Sequence, residues 1–199
     1  MFLRTKNTLA KGTIYFKFSL IFSRKFSRVY LSAIKDRSFI KKYANVLSLE
    51  EEFALKLDVA EDSHIEEIIK ILRSCDSPYI VNHFFCENFF VNDESIFESY
   101  GKFIEMRGLL HDTKRQSRNK SFLIRAIGME KLQGPDLDNF SGDEEKNIFK
   151  YILQIASGLK WLHAHDIIHH DIKPANIMLH LNGDIVIKKI SYLHLIRQN

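Results

Sequence analysis

The stretch LHAHDIIHHDIKPANIML, residues 162–179, concentrates side chains that could do chemistry. His163, His165, His169, His170, Asp166, Asp171, Lys173 and Asn176 lie there between apolar flanks. Four histidines invite a zinc reading. Zinc, however, needs three or four ligands that converge from positions fixed by the fold. His165 and His169 have i, i+4 spacing, but the intervening DII reads as a helix end running into a short strand. There is no HExxH and no nearby cysteine, so the pattern argues against chelation. The alternative is a catalytic loop built on Asp171, Lys173 and Asn176, or the remains of one.

The order His169-x-Asp171-x-Lys173-Pro174-x-Asn176, followed by apolar IML, resembles the protein-kinase catalytic loop His-Arg-Asp-Leu-Lys-Pro-x-Asn. The resemblance implies that Asp171 orients or accepts the proton of an attacking hydroxyl. Lys173 would neutralise charge on the transferring phosphoryl, and Asn176 would hold magnesium. Lysine two residues after the aspartate is the Ser/Thr-kinase form. Upstream parts follow in the family's order. FALK resembles the strand carrying the phosphate-binding lysine, with Ala54 against adenine and Lys56 on the phosphates. Lys35 is a rival for that role. IGMEKLQGPDL is similar to the hinge, with Met129 as gatekeeper, Glu130 and Leu132 toward adenine and Asp136 toward ribose. Val29 would pack on the adenine and Met178 beneath it.

The departures matter as much. Phe22, Arg24 and Ser27 stand where the family's glycine-rich loop has glycines. Glycine lets backbone N–H groups approach phosphates without a Cβ in the way. The family's spacing for the glutamate that pairs with the lysine lands on Ile68, so Glu67 serves only if the helix shifts. His170 replaces the arginine that normally receives an activation-loop phosphate. The Asp-Phe-Gly position falls on Lys189-Ile190-Ser191, or with a longer turn on Tyr192-Leu193-His194, and neither holds the aspartate. The chain stops at Asn199, before the family's activation segment and its later helices. The resemblance therefore implies a partial Ser/Thr protein-kinase domain with ATP as cofactor, doubtful use of Mg2+, and a protein substrate or partner. Phosphoryl transfer is expected to be impaired. The alternatives are a pseudokinase or binding module, and a truncated product without function of its own.

The elements that must position these residues follow from hydrophobic periodicity. Residues 13–35 alternate and are rich in Phe, Tyr, Val and Ile, which reads as one or two strands. EEEFALKLDV, 50–59, reads as another strand, and SHIEEIIKILRSC, 63–75, as a short amphipathic helix. SPYIVNHFFCENFFV reads as a strand hairpin, and SFLIRAIGMEKL as a strand with a turn at QGPD. Residues 92–120 are polar and read as a surface insertion. Ser141 and Glu144 make the S-x-x-E capping pattern, and Ile148, Ile152, Ile155, Ala156, Leu159 and Leu162 mark one face of the helix that follows. The predicted fold is α+β. A small antiparallel-sheet lobe at about 20–130 leads through a hinge at about 130–136 into the beginning of a helical lobe at 137–199. Residues 1–19 form a basic segment ahead of it.

Composition narrows the classes. The chain has 199 residues, 27% charged and 45% apolar, which is globular rather than disordered. Residues 1–35 hold eight Lys or Arg and no acid, a strand pair or an organelle-targeting segment. The basic run DTKRQSRNK, 112–120, reads as solvated surface, so no nucleic acid is expected. TIYFKFSLIF is too short for a membrane span and carries Lys17. Cys75 and Cys86 form no disulfide framework, which points to a reducing, intracellular setting such as the cytoplasm. The helix at 144–163 carries apolar residues nearly all round, among them Phe149, Leu153 and Trp161, so self-association through it is expected.

Overall fold

The computed structural model describes residues 5–9, 12–24, 27–34, 41–43, 51–59, 64–91, 122–140, 144–188 and 194–195. They fall into two compact units: residues 1–61 with 84–129, and residues 62–83 with 130–199.

The first unit is a six-stranded sheet. Its strands are β1 (Thr5–Leu9), β2 (Gly12–Arg24), β3 (Ser27–Ile34), β4 (Phe53–Val59), β5 (His83–Val91) and β6 (Phe122–Met129), in the order β1-β2-β3-β4-β6-β5. β1 to β4 join antiparallel neighbours, and β4 pairs antiparallel with β6. The alternation of residues 13–35 is thus one hairpin, β2–β3, with a register irregularity between Leu20 and Phe22. β2 runs across positions 19 and 20 as one strand, so the described residues 5–9 and 12–24 of the basic start belong to the sheet. The expected hairpin within 77–91 is corrected: β5 is a single strand, and its neighbour is β6, which begins at Phe122. Strand alternation marks a face but not a partner, and here the partner is long-range. The core packs Phe53 and Tyr43 against Phe85, with ring centroids 5.7 and 5.4 Å apart. Glu87 accepts hydrogen bonds from Tyr43 Oη and Lys42 Nζ, which ties residues 42–43 to β5.

The second unit is helical with short strand pairs. Helix α1 (His64–Leu72) buries Ile65, Ile68, Ile69 and Leu72, the i, i+3, i+4, i+7 stripe of one helix face. Helix α2 (Glu144–Ala164) leads into β7 (Ile167–Ile168), a 3-10 turn at Pro174–Asn176, β8 (Ile177–Leu179) and β9 (Ile185–Ile187). β8 and β9 form an antiparallel hairpin, and β10 (His194–Leu195) pairs antiparallel with β7. Tyr151, Ile177, Leu179, Ile185 and Ile187 form the core, flanked by Tyr79, Leu137, Phe140, Ile155 and Leu159.

The face of α2 differs from the apolar count. Tyr151, Gln154, Gly158 and Leu162 are buried, whereas Ile148 and Ile152 are half exposed and Ala156 faces solvent. Two residues that an apolar count ignores set this orientation. Gln154 Nε2 donates to Asp184 Oδ1 at 2.6 Å, and its Oε1 accepts the Ile185 N–H at 3.1 Å. Gly158 lies so close to the hairpin that a Cβ would stand 3.0 Å from Ile187 Cδ1 and 3.2 Å from the Tyr79 carbonyl oxygen. The expected cap Ser141 lies outside the described residues, as do Lys35 and the insertion at 92–120.

Candidate active site

The catalytic-loop residues come together within the second unit. α2 ends at Ala164, and Asp166, at φ 58°, turns the chain into β7. His169 is buried, and its Nδ1 accepts the amide N–H of Asp171 at 3.2 Å. His170, at φ 57°, is the second non-glycine residue in the left-handed region, which a non-glycine side chain occupies at a cost. This kink delivers Asp171 to Lys173 and Asn176. Lys173 Nζ lies 3.1 Å from Asp171 Oδ1. Asn176 Nδ2 donates to Asp171 Oδ2 at 2.9 Å and to the Asp171 carbonyl oxygen at 2.7 Å. Pro174 sits in the first turn of the 3-10 segment, where a missing N–H costs nothing. Asn176 is almost fully buried, and its carbonyl oxygen accepts the Lys188 N–H at 3.0 Å.

The histidines take other roles. His165 stacks on Trp161 with ring centroids 3.8 Å apart, and its Nδ1 lies 2.8 Å from the Trp161 carbonyl oxygen. Trp161 Nε1 donates to Asp76. Among the described residues, no three His, Cys, Asp or Glu side chains are grouped to hold a metal.

The segment after Met129 is anchored to the same unit. Glu130 is clasped to Asn82: its N–H donates to the Asn82 carbonyl oxygen at 2.9 Å, and its carboxylate accepts the Asn82 amide N–H and Nδ2, each at 3.0 Å. Leu132 is half-buried. Gly134 passes so near β8 that a Cβ there would sit 1.8 Å from the Leu179 carbonyl oxygen. That approach lets Leu179 N–H reach Pro135 O and Leu137 N–H reach Ile177 O, each at 2.9 Å, and sets Asp136 opposite Met178. Asp136 Oδ2 accepts from Lys188 Nζ at 3.2 Å, while Asn139 donates twice to Oδ1. Partial burial opposes ionisation of Asp136, but the hydrogen bonds from Asn139 and Lys188 outweigh it and hold its pKa below the usual carboxylate value.

In the first unit, register decides which side chains share a face. Val29 lies opposite Lys56, Ile127 opposite Lys56, and Met129 opposite Ala54. Directly opposed residues share a face, and so do Ala54 and Lys56, two apart on β4. Val29, Ala54, Lys56 and Met129 therefore line one side of the sheet, with Lys56 buried. Glu67 stands on the exposed side of α1, and the neighbouring Ile68, where family spacing would put the glutamate, is fully buried. The Asp-Phe-Gly candidates at 189–193 lie outside the described residues; His194 is in β10. Lys188 and Asn82 were missed in the sequence. Lys188 is visible there, but its partner Asp136 lies far away in the sequence.

A model of the protein kinase domain matches residues 25–191, most of the chain. The chain belongs to the protein kinase family, and its fold is α+β and protein-kinase-like. It is similar to an Aurora kinase of Saccharomyces cerevisiae, 34% identical over 97 residues, 48% of this chain and 23% of the yeast protein. It is also similar to serine/threonine-protein kinase ATG1 of Saccharomyces cerevisiae, 32% identical over 116 residues, 58% of this chain and 12% of that protein. A shorter match, 47% identical over 47 residues, is to serine/threonine-protein kinase GRIK2 of Arabidopsis thaliana, covering 24% of this chain and 12% of the relative. The chain thus spans less than a quarter of the length of the curated relatives it matches. No helix among the described residues is long and apolar enough to cross a membrane.

Proposed function

We propose that this chain is a nucleotide-binding protein-kinase domain of the Ser/Thr type whose phosphoryl transfer is impaired, acting chiefly as a binding module. One observation carries the impairment. β9 ends at Ile187 and β10 begins at His194, and the residues between, Lys188 to Leu193, include no carboxylate. In the family an aspartate there holds magnesium across the β- and γ-phosphates. Magnesium takes oxygen ligands in near-octahedral order. The donor set near Asn176 fits it poorly: the Asp171 carboxylate is engaged by Lys173 and Asn176, and residues 188–193 add no carboxylate. No step is therefore assigned to the metal.

What supports the binding reading is, within the first unit, the shared face of Val29, Ala54, Lys56 and Met129 and, separately within the second, Glu130 clasped to Asn82 and Asp136 set opposite Met178; Leu132 stays a candidate on the family pattern. Adenine would pack on the first set, and Lys56 would meet phosphate. For residual transfer, Asp171 orients a serine or threonine hydroxyl and takes its proton. The oxygen forms a bond to the γ-phosphorus of ATP, the bond to the β-phosphate oxygen breaks, and ADP leaves. Lys173 offsets charge on the moving phosphoryl. The exposed apolar side chains of α2, including Phe149 and Leu153, supply a surface for self-association.

Transfer of labelled γ-phosphate to a generic protein substrate tests this reading. Wild type is expected to transfer slowly or not at all, with any transfer lost in Asp171→Asn and kept in His165→Ala. Turnover at about 1 s⁻¹ or faster, the ordinary range for kinases, would contradict it.

A further inference from the structure

The Asp136 carboxylate is committed within its own unit. Oδ1 accepts the Asn139 N–H at 3.1 Å and Asn139 Nδ2 at 2.7 Å, and Oδ2 accepts Lys188 Nζ at 3.2 Å. An ionised carboxylate offers about four lone-pair positions. This chain's own donors fill three of them. Both partners are held by backbone. Asp136 faces Met178 across a bridge, and the Lys188 N–H donates to Asn176 O at 3.0 Å, directly after β9. The two side chains are 18% and 29% exposed, so the pair is shielded better than a surface ion pair and less open to exchange with water. A sugar hydroxyl would donate to this carboxylate only by displacing Lys188 or by taking the single position left beside an ammonium.

We propose that Lys188 caps Asp136 and makes the adenosine site of this chain indifferent to the ribose hydroxyls. The inference rests on the nucleotide-binding reading above and names a specificity residue within it. Asp136 closes the turn through Asn139 and neutralises Lys188. Sugar recognition is lost, and affinity comes from the base and phosphates.

The test is calorimetric titration of the full chain with adenosine and with 2′,3′-dideoxyadenosine, in wild type and Lys188→Met. Wild type is expected to bind the two nucleosides within about twofold. Lys188→Met frees Oδ2, so adenosine should tighten about tenfold, the worth of one charge-assisted hydrogen bond, while the dideoxy form stays put. The gain should vanish in Lys188→Met/Asp136→Asn. Should Lys188→Met not fold, Lys188→Gln, which keeps a weaker donor, is expected to show the same preference at smaller size. A wild type that favours adenosine about tenfold overturns the capping while leaving the nucleotide reading intact. An unchanged ratio in the lysine variants also overturns it. Failure of both nucleosides to bind overturns the nucleotide reading, and the capping with it.

Discussion

Replacing Gln154 with alanine should destabilise this chain more than replacing Ile152, although Ile152 is the apolar residue. Gln154 is buried and bridges α2 to the hairpin, donating to Asp184 and accepting the Ile185 N–H. Asp184 keeps Lys150 and Asn182 after the change, each at 3.0 Å, so its loss is about 1 kcal/mol. The Ile185 amide, in a fully buried residue, is left without its acceptor, which costs roughly 1–3 kcal/mol. Gln154→Ala should therefore cost about 2–4 kcal/mol, a large share of the roughly 5–15 kcal/mol typical of a domain. Ile152 is 54% exposed, and alanine is the better helix former, so Ile152→Ala should stay within about 0.5 kcal/mol. Had the apolar count set the buried face, Ile152→Ala would cost about 2–5 kcal/mol. Urea unfolding followed by circular dichroism, at low protein concentration, separates the two. A large loss for Ile152→Ala beside a neutral Gln154→Ala would refute the orientation of α2.

Two further outcomes follow from the same contacts. Hydrogen bonds from Lys150 and Gln154 hold the Asp184 pKa low, and bonds from Asn139 and Lys188 overcome desolvation at Asp136. A depressed folded pKa favours the folded state while the group is ionised, so this stability is present above the unfolded carboxylate value of about 3.9 and is lost as pH falls through the lower folded value. Urea midpoints measured from neutral to acid pH should fall below about pH 4, less steeply in a Lys150→Met/Lys188→Met variant; equal slopes would argue against these pairs. Ile148, Phe149, Ile152 and Leu153 are exposed along α2, so light scattering should find oligomers that Phe149→Glu/Leu153→Glu disperses. A wild-type monomer would contradict the self-association proposal.

The grouping of Asp171, Lys173 and Asn176 was legible because the family's loop pattern fixes residue types at set spacing, and the three side chains do meet. α1 was legible because its four buried residues are all aliphatic and keep the helical period. The pairing of β5 was not, because strand alternation records a face but not a partner, and β6 begins some thirty residues on. The buried side of α2 was misread because a glutamine and a glycine define it, one through hydrogen bonds and one through lack of a side chain. The Lys188–Asp136 pair joins residues 52 positions apart, and no local pattern announces such a contact.

The most direct test of the central claim is a thermal-shift titration with ATP, with and without magnesium. A kinase site that lacks the metal-holding carboxylate after β9 is predicted to give a small stabilisation that magnesium leaves nearly unchanged. A large stabilisation that requires magnesium would contradict the account, because it would mean that a complete metal site exists in this chain.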